Sequence, residues 1–136
     1  MPDAPTYEGG CLCGQVRWRA TGRPANVRVC HCRLCQKATG GPFFARAIFL
    51  RDDFAWTGEA TRWQSSPRLT RISCARCGTP MFAKPSDPPA RMGVSVATAD
   101  DRHALAPTAH IWVSEKVAWL KLDDGLPQHP RSFPAA

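Results

Sequence analysis

Seven cysteines in three tight groups constrain this chain more than any other feature: Cys11 and Cys13; Cys30, Cys32 and Cys35; Cys74 and Cys77. Thiols gathered in this way build disulfides or grip metal. The start, Met1-Pro2-Asp3-Ala4-Pro5-Thr6, has neither the basic opening nor the apolar stretch of a secretory signal. The expected location is therefore cytoplasmic, where stable disulfides are rare. Seven is also odd, and disulfide pairing would leave one thiol over. Metal ligation is the better expectation.

The spacing suggests how the sulfurs divide. In Cys74-x-x-Cys77-Gly78, two intervening residues let a tight turn aim both sulfurs at one ion, and the glycine lets the backbone turn back. Cys11 and Cys13 are two apart, so on extended backbone they share a face and can grip one ion. Together these four make the closed tetrahedral set of structural zinc. Cys30, Cys32 and Cys35 lie within six residues, and one local turn can bring them to an ion at small loop-closure cost. Three protein ligands leave a fourth position open, the mark of catalytic zinc. Spacing alone leaves other groupings possible, including two purely structural sites with His31, His103, His110 or His129 completing the second. His31 sits between two ligands, so its ring points away from the metal on extended backbone, and a packing role comes first.

Thirteen prolines and ten glycines argue against long helices. Alternating or apolar segments predict strands at 15–20, 26–29, 43–50, 54–56, 61–64, 68–72, 79–83, 91–97 and 109–113. In the strand at 91–97, Val94 and Val96 would share a face. One helical turn is expected at 36–39, ended by Gly40-Gly41-Pro42, and a short helix at 115–120. The tail from Asp123 should be extended on the surface. The chain reads as a single mostly β domain over residues 1–136, its core at about 7–127. No apolar run reaches the roughly 18 residues that span a bilayer, so no membrane partner is expected. The net charge of +7 comes from scattered basic residues. Seven thiolates with two Zn²⁺ would lower it, and no nucleic-acid motif accompanies it. A modest positive field suits a small anionic substrate better.

Gly10-Cys11-x-Cys13-Gly14, Cys30-His31-Cys32-x-x-Cys35 and Cys74-x-x-Cys77-Gly78 resemble the glutathione-dependent formaldehyde-activating enzyme family, which includes centromere protein V. So does the run Pro107…His110-Ile111-Trp112…Lys116…Trp119…Asp124-Gly125-Leu126-Pro127. The resemblance covers about residues 7–127. It implies an Mss4-like fold of small antiparallel sheets around zinc sites. It implies a structural zinc on Cys11, Cys13, Cys74 and Cys77, and a catalytic zinc on Cys30, Cys32 and Cys35. The implied activity is that of S-(hydroxymethyl)glutathione synthase, a carbon–sulfur lyase, with glutathione as the thiol partner.

In such a reaction an open zinc position would hold the substrate thiol as thiolate beside formaldehyde. Tyr7, His31, Lys37 and the backbone N–H groups of Gly40-Gly41 are candidate donors to the developing alkoxide. Phe43 and Phe44 are candidate pocket residues, and Arg33 and Lys37 could steer an anion. The five tryptophans read as core, and His110 as a packed, hydrogen-bonded histidine. Two rivals remain: a zinc-bound hydroxide hydrolysing another small carbonyl or imine compound, and a zinc-stabilised binding module without turnover.

Overall fold

The computed structural model describes residues 4–134. Its strands are β1 (Thr6–Gly10), β2 (Arg17–Thr21), β3 (Asn26–Cys30), β4 (Phe44–Leu50), β5 (Phe54–Thr57), β6 (Ala60–Ser66), β7 (Leu69–Cys74), β8 (Pro80–Pro85), β9 (Arg91–Ser95) and β10 (Ala109–Ile111). The single α-helix among the described residues is α1 (Arg33–Thr39). The architecture is mostly β, as the alternation implies. It comprises a three-stranded sheet, β1-β2-β5, and a seven-stranded sheet, β10-β3-β4-β9-β8-β7-β6. All strand pairs are antiparallel except β10 with β3, which is parallel.

The main core lies where the two sheets meet. Trp18 and Ala20 from the smaller sheet, with Val16 just before β2, pack against Ala47, Phe49, Ile72, Met81 and Val94 of the larger one. Trp18 stacks on Phe54, with ring centroids 5.7 Å apart. A second cluster lies on the opposite face of the large sheet, beside α1, and contains Cys30, Cys35, Phe44, Ala83 and Ile111.

Several expectations need correction. β1 was not expected, because Gly9 and Gly10 weaken its strand pattern. Gly9 is there for space: a Cβ would lie 2.2 Å from the Thr98 carbonyl oxygen and 2.6 Å from the Trp18 ring. The helix starts at Arg33 rather than Gln36, because the Cys32 side chain caps it and accepts from the Cys35 N–H. β9 ends at Ser95, and Val96 opens a 3₁₀ turn, so Val94 and Val96 do not share a strand face. β10 ends at Ile111 because Trp112 turns to φ 56°. The helix expected at 115–120 is instead a 3₁₀ turn over Val113–Glu115 followed by a bend. The described part of the tail runs beside β10: Trp112 N–H donates to the Arg131 carbonyl, and His129 N–H to the His110 carbonyl. Trp18 is core, but Trp63 and Trp119 are exposed.

Candidate metal centres and adjoining cavities

The sulfurs gather into two groups. Those of Cys11, Cys13, Cys74 and Cys77 all lie within 4.8 Å of one another, and so do those of Cys30, Cys32 and Cys35. All seven cysteines are free of disulfides. Four sulfurs at about 2.3 Å from one zinc would stand about 3.8 Å apart in a tetrahedron. The Cys11–Cys13 and Cys13–Cys74 separations are 3.6 and 3.8 Å. The donor set therefore fits a tetrahedral thiolate metal.

The four-cysteine group is built from two turns on different sheets. The first follows β1, where the Gly14 N–H returns to the Cys11 carbonyl. The second joins β7 to β8, where the Gly78 N–H returns to the Cys74 carbonyl and φ of Gly78 is +78°. Backbone N–H groups then point at sulfur, Val16 onto Cys11 at 3.2 Å and Cys77 onto Cys74 at 3.4 Å. The donor from Val16 favours thiolate over thiol at Cys11. A hydrogen bond with the Thr79 hydroxyl holds the Cys77 thiol down at about 5.

The three-cysteine group is local. Cys30 closes β3, Cys32 caps α1, and Cys35 lies one turn inside the helix. Hydrogen bonding from Cys30 and Cys32 pushes Cys35 well below the usual thiol range, whereas contact with Cys32 and Cys35, together with burial, pushes Cys30 up. The Arg71 guanidinium donates to the Cys35 sulfur at 3.4 Å. Arg71 is only 6% exposed and also donates to Ser65 Oγ at 2.8 Å. Among the described residues, no histidine, aspartate or glutamate joins this group as a fourth ligand.

His31 follows the packing expectation. It is fully buried, with Phe43 against its ring. Its Nε2 lies 2.9 Å from His110 Nδ1, and His110 Nε2 lies 2.7 Å from Asp124 Oδ2. The carboxylate can only accept, so His110 donates from Nε2 and, in its neutral tautomer, accepts from His31 Nε2–H. Burial, then His110 and Lys116, lowers the His31 pKa to about 4. Gln36 completes the frame, donating to the His31 and Glu115 carbonyls.

The other candidates separate. Tyr7 packs on Phe49 in the main core, and Lys37 and Arg33 are exposed on α1. The Gly40 and Gly41 N–H groups are already used, by the Gln36 carbonyl and Thr39 Oγ1, so neither is free for an alkoxide. His103 is exposed and takes a hydrogen bond from Arg102, while His129 packs on Phe133. Phe43 and Phe44 do line a cavity, of about 470 Å³, that reaches from α1 to Cys11, Leu12 and Thr79.

A second cavity, of about 480 Å³, opens on the sheet face that carries Cys30. Arg28, Arg46 and Arg91 line it, with Leu69, Ala83 and Phe133. Burial and the neighbouring Arg46 lower the Arg28 pKa to about 10, which leaves it cationic at neutral pH. Sequence reading passed over these arginines and Arg71. The available signal was period two: Arg28 and Cys30 are two apart on one strand, so they share a face.

A small, mostly β protein with one four-thiol and one three-thiol centre belongs to the class of β folds assembled around cysteine-ligated metal. The family model for the glutathione-dependent formaldehyde-activating enzyme matches residues 6–115, and the chain belongs to that family. It is 30% identical over 78 residues to the uncharacterized lyase C29B12.13 of Schizosaccharomyces pombe, a stretch that covers 57% of each chain. The chain thus spans a little over half the length of that curated relative. A Rhodobacter sphaeroides protein of known crystal structure shares the fold at a TM-score of 0.57 and 22% identity, over 69% of this chain and 88% of that one.

Proposed function

We propose that this chain is a zinc-dependent carbon–sulfur lyase acting on a glutathione–formaldehyde adduct. In this reading Cys11, Cys13, Cys74 and Cys77 hold a structural zinc, and Cys30, Cys32 and Cys35 hold a second zinc at the reacting centre. One observation carries it: three sulfurs are gathered at one point with no fourth protein ligand among the described residues. Membership of the family supports glutathione and formaldehyde as the reactants.

A zinc held by Cys30, Cys32 and Cys35 would supply Lewis acidity toward a substrate thiol. The chain supplies the rest. Arg71 offsets excess thiolate charge through its bond to Cys35. Gln36 and the 113–115 turn fix α1, and so fix the angle between Cys32 and Cys35. Phe44 packs in one cluster with Cys30 and Cys35 and gives the centre an apolar flank. In the synthetic direction the glutathione sulfur forms a bond to the formaldehyde carbon, and the thiol proton ends on the former carbonyl oxygen. The lyase direction breaks that carbon–sulfur bond and returns both partners.

The test uses cobalt-substituted protein and millimolar glutathione, followed by the rate of S-(hydroxymethyl)glutathione formation from ¹³C-formaldehyde. A shift in the cobalt d–d bands and a rate above the uncatalysed one are expected. An unchanged spectrum and an uncatalysed rate would discard the proposal.

A further inference from the structure

The arginine-lined cavity is not used by the chemistry above, and its composition is unusual. Arg28 and Arg46 are directly paired across β3 and β4. Arg91 stands on β9, four residues before Ser95, the partner of Arg46. Period two places all three on one sheet face. Among the described residues none of them has a carboxylate within 4.0 Å. Arg46 Nε and Nη1 and Arg91 Nε are buried without any hydrogen-bond partner. Aromatic rings flank two of the guanidinium groups, Phe133 beside Arg28 at 5.2 Å and Phe44 beside Arg46 at 5.8 Å. Space is also kept at Gly93, where a Cβ would stand 3.2 Å from Arg46 Cδ.

Three like charges around one hollow repel one another, and buried N–H donors left empty carry a desolvation cost. An anion in the hollow would offset the repulsion among the three charges, and guanidinium edges match a carboxylate in two-point geometry. The hollow also adjoins the three-cysteine centre. Leu69, Ala83 and Phe133, which line it, pack in the same cluster as Cys30, Cys35 and Phe44.

We propose that Arg28, Arg46 and Arg91 form the carboxylate-binding subsite of the thiol substrate, seating its acidic end while its sulfur reaches the Cys30–Cys32–Cys35 centre. This assignment rests on the thiol-substrate reading above and identifies which thiols qualify: those carrying a carboxylate, and not neutral ones.

S-methylglutathione keeps both carboxylates but has no free thiol, so its binding by calorimetry to the reduced, zinc-loaded protein reports this subsite alone. The expected result is binding that weakens with added salt and falls at least tenfold in Arg46→Gln and in Arg91→Gln. The diethyl ester of S-methylglutathione should bind wild type at least tenfold more weakly. A neutral thiol, 2-mercaptoethanol, should shift the cobalt bands equally in wild type and both variants, which shows that the fold and the metal centre survive. Undiminished binding to the variants, or to the ester, would overturn the subsite. So would tighter binding of inorganic phosphate than of S-methylglutathione, since the pocket would then favour another anion. Failure of every thiol to shift the cobalt bands would strike the thiol reading instead, and S-methylglutathione would still judge the pocket.

Discussion

Replacing Arg71 by methionine isolates the contribution of one buried guanidinium to the three-cysteine centre. The side chain keeps much of its apolar stem but loses the donor to Cys35 Sγ at 3.4 Å and the donor to Ser65 Oγ. A hydrogen bond to a charged group is worth about 1.5–3 kcal/mol when its surroundings are dry. At about 1.4 kcal/mol per tenfold, metal affinity at Cys30–Cys32–Cys35 should fall by about 10- to 100-fold, the range seen when groups that support metal ligands are removed. The four-cysteine group lies in a different cluster and serves as the internal control. Zinc release under a graded chelator series separates the two centres, because one ion should leave at much lower chelator in Arg71→Met and the other should not move. Arg71→Lys should recover part of the loss, since it restores the charge without the fork. Equal weakening of both ions, or no weakening of either, would refute the reasoning.

Further outcomes follow from the same geometry. The reduced protein should carry two zinc ions per chain by elemental analysis; Cys32→Ser should keep the fold with one ion. Cys77→Ser should not fold, because structural zinc contributes about 10–16 kcal/mol in small metal-binding peptides and a domain holds only about 5–15 in total; circular dichroism distinguishes them. His31, with its folded pKa lowered to about 4 from 6.5, resists a proton that the unfolded chain accepts. Stability should therefore fall as pH drops from 6.5 towards 4, by up to about 3 kcal/mol, and His31→Asn should flatten that slope in urea titrations. Gly9→Ala should lower Tm by several degrees, because its Cβ would meet backbone at 2.2 Å, whereas Gly41→Ala, with nothing nearer than 3.7 Å, should be close to neutral. Calorimetry that finds the two equal would remove the steric account.

Much of the fold was legible because period-two alternation survives in single strands. Arg17–Thr21 shows it clearly, with Trp18 and Ala20 inward and Arg17, Arg19 and Thr21 outward. The strand Thr6–Gly10 hid behind its glycines, since a requirement for empty space leaves no side-chain pattern to read. The cysteine grouping was also legible, because the reach of a turn or a strand fixes which sulfurs can meet. What supports the sulfurs was not. Arg71 meets Cys35 across 36 positions, and Asp124, His110 and His31 align only after the tail lies along β10. Contacts of that kind depend on strand order, and local sequence is silent about strand order. The Gly40-Gly41 amides failed as donors for a related reason: the end of α1 had already claimed them.

The two thiol groups differ in when they can exist during synthesis. Cys30, Cys32 and Cys35 lie within six consecutive residues, so local structure alone can gather their sulfurs. Cys13 and Cys74, 61 positions apart, can share an ion only once β1 and the β7–β8 turn have met. On the two-zinc reading proposed above, the four-cysteine ion would bind last and fasten the turn after β1 to the β7–β8 turn.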